Sequence, residues 1–261
     1  MKFASTLAGI ALGLFSTTAF AQALPDLAGR EITIVTENAY PPLQFVDKDG
    51  QAVGWEYDAV AEIAKRLNLK VTYANISWDA MIPAVSEGQF DMGMTGITIT
   101  DERKEKIDFS EPYMRSESIM LARGDESRFA DAASFAANAD LLIGAQPGTT
   151  PFYTAVYSVL DGNEQNPRIK LMETFGATVE ALKTGDVDTV LTDMTAGKGY
   201  VDASNGGLKL VGEPLGTEDF GFIFPKGSDL AAPMNAAIAA LKADGTLDAL
   251  NKKWFLDYKM N

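Results

Sequence analysis

Phe90-Asp-Met-Gly-Met-Thr-Gly-Ile-Thr-Ile-Thr-Asp-Glu-Arg103 settles the architecture. Phe90 to Met94 is a short apolar run of strand character, Thr95-Gly96-Ile97-Thr98 a loop, and Thr100-Asp-Glu-Arg103 the start of a helix. The same strand-to-helix order precedes it. Glu31 to Val35 alternates into a buried strand, and Gly54 opens a helix whose apolar face is Val60, Ile63, Ala64 and Leu67. Lys70–Tyr73 is a second strand, and Trp78–Glu87 a helix with Met81, Ile82 and Val85 inward, stopped by Gly88. The order β-α-β-α-β-α predicts a mostly parallel sheet covered on both faces.

Downstream, Ser118–Arg123 is a further strand and the alternation begins again. The units are helix 131–137, strand 141–145, helix 150–160, strand 169–172, helix 177–183, strand 187–192, helix 194–203 and strand 208–211. A strand at Phe220–Phe224, an Ala-rich helix at 230–243 and a last helix at 247–255 follow. Two sets of α/β units in one chain of this length predict two lobes rather than one oversized sheet.

The N-terminus decides the compartment. Lys2 precedes an uncharged apolar and small-residue run from Ala4 to Phe20, and Ala19-Phe20-Ala21 offers a small-x-small cleavage site. This is the pattern of a secretory signal peptide over residues 1–21, too short and polar for a membrane anchor. The chain has no cysteine, which excludes disulfides, thiol nucleophiles and a lipid-bearing cysteine. It has no histidine, which excludes a Ser-His-Asp triad and histidine metal ligands, although carboxylates remain able to hold calcium. A net charge of −14, which loses one more positive charge with Lys2, argues against nucleic acid or an anionic membrane as partner.

Ligands of parallel α/β sheets sit beyond the carboxyl ends of strands, at helix starts. Five such junctions carry chemistry here: Glu37 and Tyr40 after the first strand, Trp78 opening a helix, Gly96 and Thr98 leading to Arg103, Gln146 with Thr149 and Thr150, and Asp193. Together they suit a zwitterion. Arg103 offers a planar fork for a carboxylate, and Thr98 can donate to the same oxygens. The helix start at Thr149 and Thr150 also favours an anion. Asp193 and the Gly96 carbonyl accept from an ammonium, while Tyr40 and Trp78 cover a side-chain stem. Each has an ordinary alternative: Arg103 on a solvated helix face, Asp193 as a helix cap, the aromatics in a core.

Asp91–Arg103 with Ile107-Asp-Phe-Ser-Glu-Pro-Tyr113 resembles the signature of polar amino acid-binding proteins of ABC importers. Tyr40–Phe45 with Gly54-Trp-Glu, Trp78–Ala84, Phe224–Ser228 and Lys252–Phe255 resemble it too, so the likeness spans the mature chain. The resemblance implies a two-lobed α/β periplasmic binding protein fold of type II. Lobe 1 is expected over 22–112 and 221–261, lobe 2 over 118–215, and a two-strand hinge at 113–117 and 216–220.

It further implies that Arg103 and Thr98 hold the ligand α-carboxylate, helped by Thr149 and Thr150. Gly96 and Asp193 are expected to hold the α-ammonium, Tyr40 and Trp78 to form aromatic walls, and Glu37 and Gln146 to read the side chain. Two features depart from the family. Pro147 and Pro151 remove backbone donors around Gly148-Thr-Thr150, and Glu37 fills a position often held by Asp. An acid and an amide at the side-chain positions favour a polar neutral or cationic ligand. The implied function is non-catalytic capture of an amino acid in the periplasm, by a cofactor-free monomer that docks on an inner-membrane permease. A periplasmic lyase or dehydratase on the same fold and a sensor protein are the competing expectations.

Overall fold

The computed structural model describes residues 23–259, and the signal peptide expected over 1–21 lies outside them. The chain begins with β1 (Arg30–Thr36), then β2 (Ala39–Tyr40), β3 (Gln44–Val46) and β4 (Ala52–Val53). It continues through α1 (Trp55–Leu67), β5 (Leu69–Asn75), α2 (Trp78–Ser86), β6 (Met92–Gly93), α3 (Asp101–Lys104) and β7 (Asp108–Phe109). The long strand β8 (Met114–Arg123) leads into α4 (Ala132–Ala137), β9 (Ile143–Ala145), α5 (Thr150–Thr154) and a π-helical turn at Ala155–Val159. Next come β10 (Ile169–Leu171), α6 (Phe175–Thr184), β11 (Thr189–Asp193), α7 (Met194–Ala203) and the long β12 (Leu208–Phe220). β13 (Ile223–Phe224), α8 (Ala231–Ala243), α9 (Thr246–Lys252) and a π-helical turn at Lys253–Asp257 complete it.

These elements form two five-stranded sheets, in the orders β5-β1-β6-β13-β7 and β10-β9-β11-β8-β12. β2, β3 and β4 make a small third, antiparallel sheet. Each large sheet is half parallel. In the first, β1 pairs in parallel with β5 and β6, while β13 runs antiparallel to β6 and β7. In the second, β9 pairs in parallel with β10 and β11, while β8 is antiparallel to β11 and β12. A helical crossover makes consecutive strands parallel, and that is the half the β-α-β order predicts. The antiparallel half comes from strands that enter a sheet after the chain has crossed over and returned, a step periodicity does not reveal.

β8 and β12 tie the sheets together. Beyond the reach of β11, Met114–Glu117 pair with Thr217–Phe220, and Phe220 also bridges to Thr98. Each sheet has its own core. Ile32, Ile34, Trp55, Val60, Ile63, Leu67 and Ile238 fill the first, and Met120, Phe135, Leu141, Ile143 and Leu191 the second. α1 buries Ala59, Val60, Ile63 and Leu67 at helical spacing and ends at Asn68 in the left-handed region, φ 53°. Among the described residues no helix is long and apolar enough to cross a membrane.

Candidate functional site

Strand ends and helix starts from both sheets converge on one cavity of about 40 Å³. Nine of the ten residues expected from the sequence line it: Glu37, Tyr40, Trp78, Gly96, Thr98, Arg103, Gln146, Thr149 and Thr150. Thr95, Pro151, Phe175, Glu218 and Phe220 complete the lining.

Arg103 faces inward rather than out to solvent. Thr100 caps α3 by accepting from the Arg103 backbone N–H at 3.2 Å, which fixes the helix start. The guanidinium lies 4.9 Å from the Trp78 ring centroid and donates to the Thr98 carbonyl at 2.9 Å and the Gly148 carbonyl at 3.2 Å. Burial pushes its pKa down to about 10, while Glu218 pulls the other way. Thr98 sits opposite Phe220 in an isolated antiparallel bridge whose hydrogen bonds are made by its neighbours Ile99 and Gly221. Its own N–H therefore points to the same side as its carbonyl, beside the guanidinium. That pair is a ready cradle for a carboxylate. The Thr98 hydroxyl does something else: it donates to Glu218 Oε2 at 2.7 Å and accepts from Thr150 Oγ1 at 2.8 Å.

Gly96 holds φ +63°, and a Cβ there would approach Leu43 Cδ1 to 3.0 Å, so the turn after β6 requires glycine. Its N–H donates to Glu56 Oε1 at 2.9 Å, leaving the carbonyl as the acceptor it can offer. Glu56 is fully buried under the loop, also accepts from the Tyr113 hydroxyl, and keeps Oε2 without a partner. Burial pushes its carboxyl up to about 7.

The opposite wall is built by β9 and α5. Thr149 caps α5, accepting from the Phe152 N–H at 3.2 Å and donating to the Gln146 carbonyl at 2.8 Å. Gln146, at the end of β9, reaches across to Glu37 Oε1 at 2.8 Å and to the Glu173 carbonyl at 2.8 Å. Burial holds the Glu37 carboxyl above its ordinary range, against the pull of that bond from Gln146. Tyr40 packs edge-on against Phe175 at 4.8 Å, and its hydroxyl lies 3.3 Å from Thr192 Oγ1 and from the Asp193 N–H.

Asp193 stands behind this lining. Its Oδ1 caps α7, accepting from the Thr195 N–H at 2.8 Å and the Ala196 N–H at 3.2 Å, and takes the Ser116 hydroxyl at 2.8 Å. Its Oδ2 is buried with no partner among the described residues, an uncommon arrangement for a carboxylate at 0% exposure. Glu218, at 6% exposure, lines the cavity as a second acid beside Glu37, and sequence reasoning missed it. Its available signal was an acid on the inward parity of a strand expected to form the hinge. Among the described residues no group of three or more acidic side chains is placed to hold a metal ion.

The profile of the bacterial extracellular solute-binding proteins, family 3, matches residues 32–257. The chain belongs to this family. The L-cystine-binding protein TcyJ of Escherichia coli K12 is 31% identical over 221 residues, covering 84% of this chain and 80% of the relative. The arginine-, lysine-, histidine-binding protein ArtJ of Geobacillus stearothermophilus superposes with a TM-score of 0.79 at 32% identity, over 87% of this chain and 95% of that one. An ancestral arginine-binding protein bound to arginine gives 0.78 at 32%, over 86% and 98%. The fold is therefore the two-lobed type II fold of periplasmic binding proteins, and this family 3 member is a binding protein rather than an enzyme.

Proposed function

We propose that this protein captures a polar L-amino acid, basic in preference to neutral, in the periplasm and delivers it to an ABC-type permease. The charge balance of the cavity carries the ligand class. Among the described residues Arg103 is the one base in the lining, set against Glu37 and Glu218, with Asp193 directly behind. An α-carboxylate on Arg103 and the Thr98 N–H uses the base, with Thr149 and Thr150 assisting from the second lobe. The Gly96 carbonyl and the unpaired Oδ2 of Asp193 suit the α-ammonium. Glu37 and Gln146 then meet the side chain between Tyr40 and Trp78, where an acid welcomes a cation and repels glutamate or aspartate. The related proteins named above bind cystine or basic amino acids by name, in keeping with this reading.

In this reading residues 22–112 with 221–261 form one lobe, 118–215 the other, and 113–117 with 216–220 the hinge. Among the described residues five polar contacts cross the cavity: Gln146 to Glu37, Thr150 to Thr98, Arg103 to Gly148, Tyr40 to Thr192 and the Asp193 N–H to Tyr40. A ligand enters by parting them and closes the lobes again by making more contacts than it replaces. A shift from mostly open to mostly closed needs about 5 kcal/mol of differential affinity, within reach of several charge-assisted hydrogen bonds. Residues 1–21 serve as a signal peptide cleaved near Ala21, and the mature protein acts as a monomer without a cofactor.

A thermal-shift screen of the twenty amino acids tests the assignment. At a hundredfold excess over Kd, a basic or amide amino acid should raise Tm by roughly 5–10 °C. Stabilisation by glutamate or aspartate alone, or by no amino acid, refutes it.

A further inference from the structure

Glu218 is an acid where strand alternation calls for an apolar residue. On β12, Thr217 is exposed, Glu218 buried, Asp219 partly buried and Phe220 buried, so Glu218 and Phe220 share the inward face. The carboxylate is held by two hydroxyls, Thr98 Oγ1 at 2.7 Å on Oε2 and Ser118 Oγ at 3.2 Å on Oε1, and among the described residues by no cation. Arg103 is close enough to feel its charge, but both of its guanidinium hydrogen bonds go to the Thr98 and Gly148 carbonyls. A buried carboxylate without a positive partner is costly unless a bound group supplies one.

Thr98 shows what that group is. Its hydroxyl proton is committed to Glu218, while its N–H faces the carboxylate cradle beside Arg103. The carboxylate and ammonium of an amino acid share one carbon. A carboxylate seated on Arg103 and the Thr98 N–H therefore sets its ammonium within reach of the acid bonded to the hydroxyl of that same threonine. We propose that Glu218 is a specificity-determining residue of the cavity, supplying, together with Asp193 behind it, the negative charge that recognises the ligand α-ammonium. This rests on the amino acid-capture reading and adds to it a residue from the hinge strand.

The proton balance of binding follows. Burial first, then the charge of Asp193 at the start of α7, pushes the Glu218 carboxyl up to about 7, with Arg103 on α3 and the Thr98 and Ser118 hydroxyls opposing. Tyr40, its other titratable neighbour, is held well above its ordinary value and stays neutral. An ammonium beside Glu218 lowers its pKa, so binding near pH 6.5 expels part of a proton.

The test uses L-arginine, L-histidine and L-glutamine, each paired with its counterpart lacking the α-amino group: 5-guanidinopentanoic acid, imidazolepropionic acid and glutaramic acid. Calorimetric titration at pH 8 should show Glu218→Gln weakening the bound L-amino acid tenfold or more while changing its desamino counterpart less than threefold. At pH 6.5, titrations in buffers of different ionisation enthalpy should show proton release for the wild type with the amino acid and its loss in Glu218→Gln. Equal loss for both members of a pair makes Glu218 merely structural, and no loss removes it from recognition; either overturns the proposal. Should Glu218→Gln fail to fold, the wild type decides: release with the amino acid but not its desamino counterpart supports the proposal, and equal release refutes it. A wild type that takes none of the three amino acids overturns the capture reading itself, which is a different failure.

Discussion

Arg103 does more than present a charge. Its guanidinium is stacked on Trp78 and tied to two carbonyls, so the protein itself sets the plane of the fork. Arg103→Ala should leave the fold intact and weaken amino acid binding by about 2–5 kcal/mol, which is at least thirtyfold. Arg103→Lys should be nearly as damaging, because an ammonium offers neither the fork nor the stacked plane. Titration of either variant at near-wild-type affinity would remove Arg103 from the site. Its place in the cavity was legible because the contacts that fix it are local: Thr98, Thr100 and Arg103 lie within six residues, and strand-loop-helix order places them. Glu218 was not legible, since its partner Thr98 is 120 residues away and only the register of β12 brings them together. Asp193 reads both ways from sequence; the structure shows the cap, made by Oδ1 on α7, and among the described residues leaves Oδ2 unpaired.

At the scale of elements, legibility followed periodicity. α1, α2, α6, α7 and α8 announce themselves by apolar spacing, and α7 runs from Met194 to Ala203 as expected. The sheet of β2, β3 and β4 does not, because strands of two or three residues are too short to show a period. β12 joins the strand expected at 208–211 to the hinge strand expected at 216–220, through a register shift between Val211 and Gly216. That small sheet nevertheless seats α1. The Trp55 and Glu56 N–H groups, otherwise orphaned at the helix start, donate to the Pro42 and Leu43 carbonyls at 3.0 and 2.9 Å. So close an approach requires Gly54, whose φ is +142° and whose Cβ would fall 2.2 Å from the Leu43 oxygen. Gly54→Ala should therefore destabilise the protein by about 2–4 kcal/mol, combining backbone strain with overpacking. Thermal unfolding should show Tm lower by roughly 5–15 °C. An unchanged Tm would mean that the helix start can shift away without loss.

Across the whole molecule, buried acids and paired acids pull stability in different pH windows. Glu126, paired with Arg128 at the foot of the second sheet, is held down at about 2. Its contribution is present above pH 4.5 and is lost only as pH falls through about 2. Glu56 and Glu218 are pushed up to about 7 from 4.5, chiefly by burial. The folded protein keeps their protons where the unfolded chain has released them. Their contribution is therefore full below pH 4.5 and disappears as pH rises through about 7. Each shift corresponds to about 3 kcal/mol at most, so the ligand-free protein should be more stable at pH 5 than at pH 8. Self-repulsion within a chain of net charge −14 acts in the same direction, but salt screens it and leaves the buried groups unaffected. Urea unfolding at both pH values in 0.5 M salt, on wild type and Glu56→Gln, isolates the buried term. Glutamine keeps an acceptor for Gly96 and Tyr113 but binds no proton, so this variant should lose about half of the wild-type slope. A wild type that gains stability from pH 5 to pH 8, or a Glu56→Gln variant with the full slope, would show that Glu56 is ionised in the folded protein throughout this range.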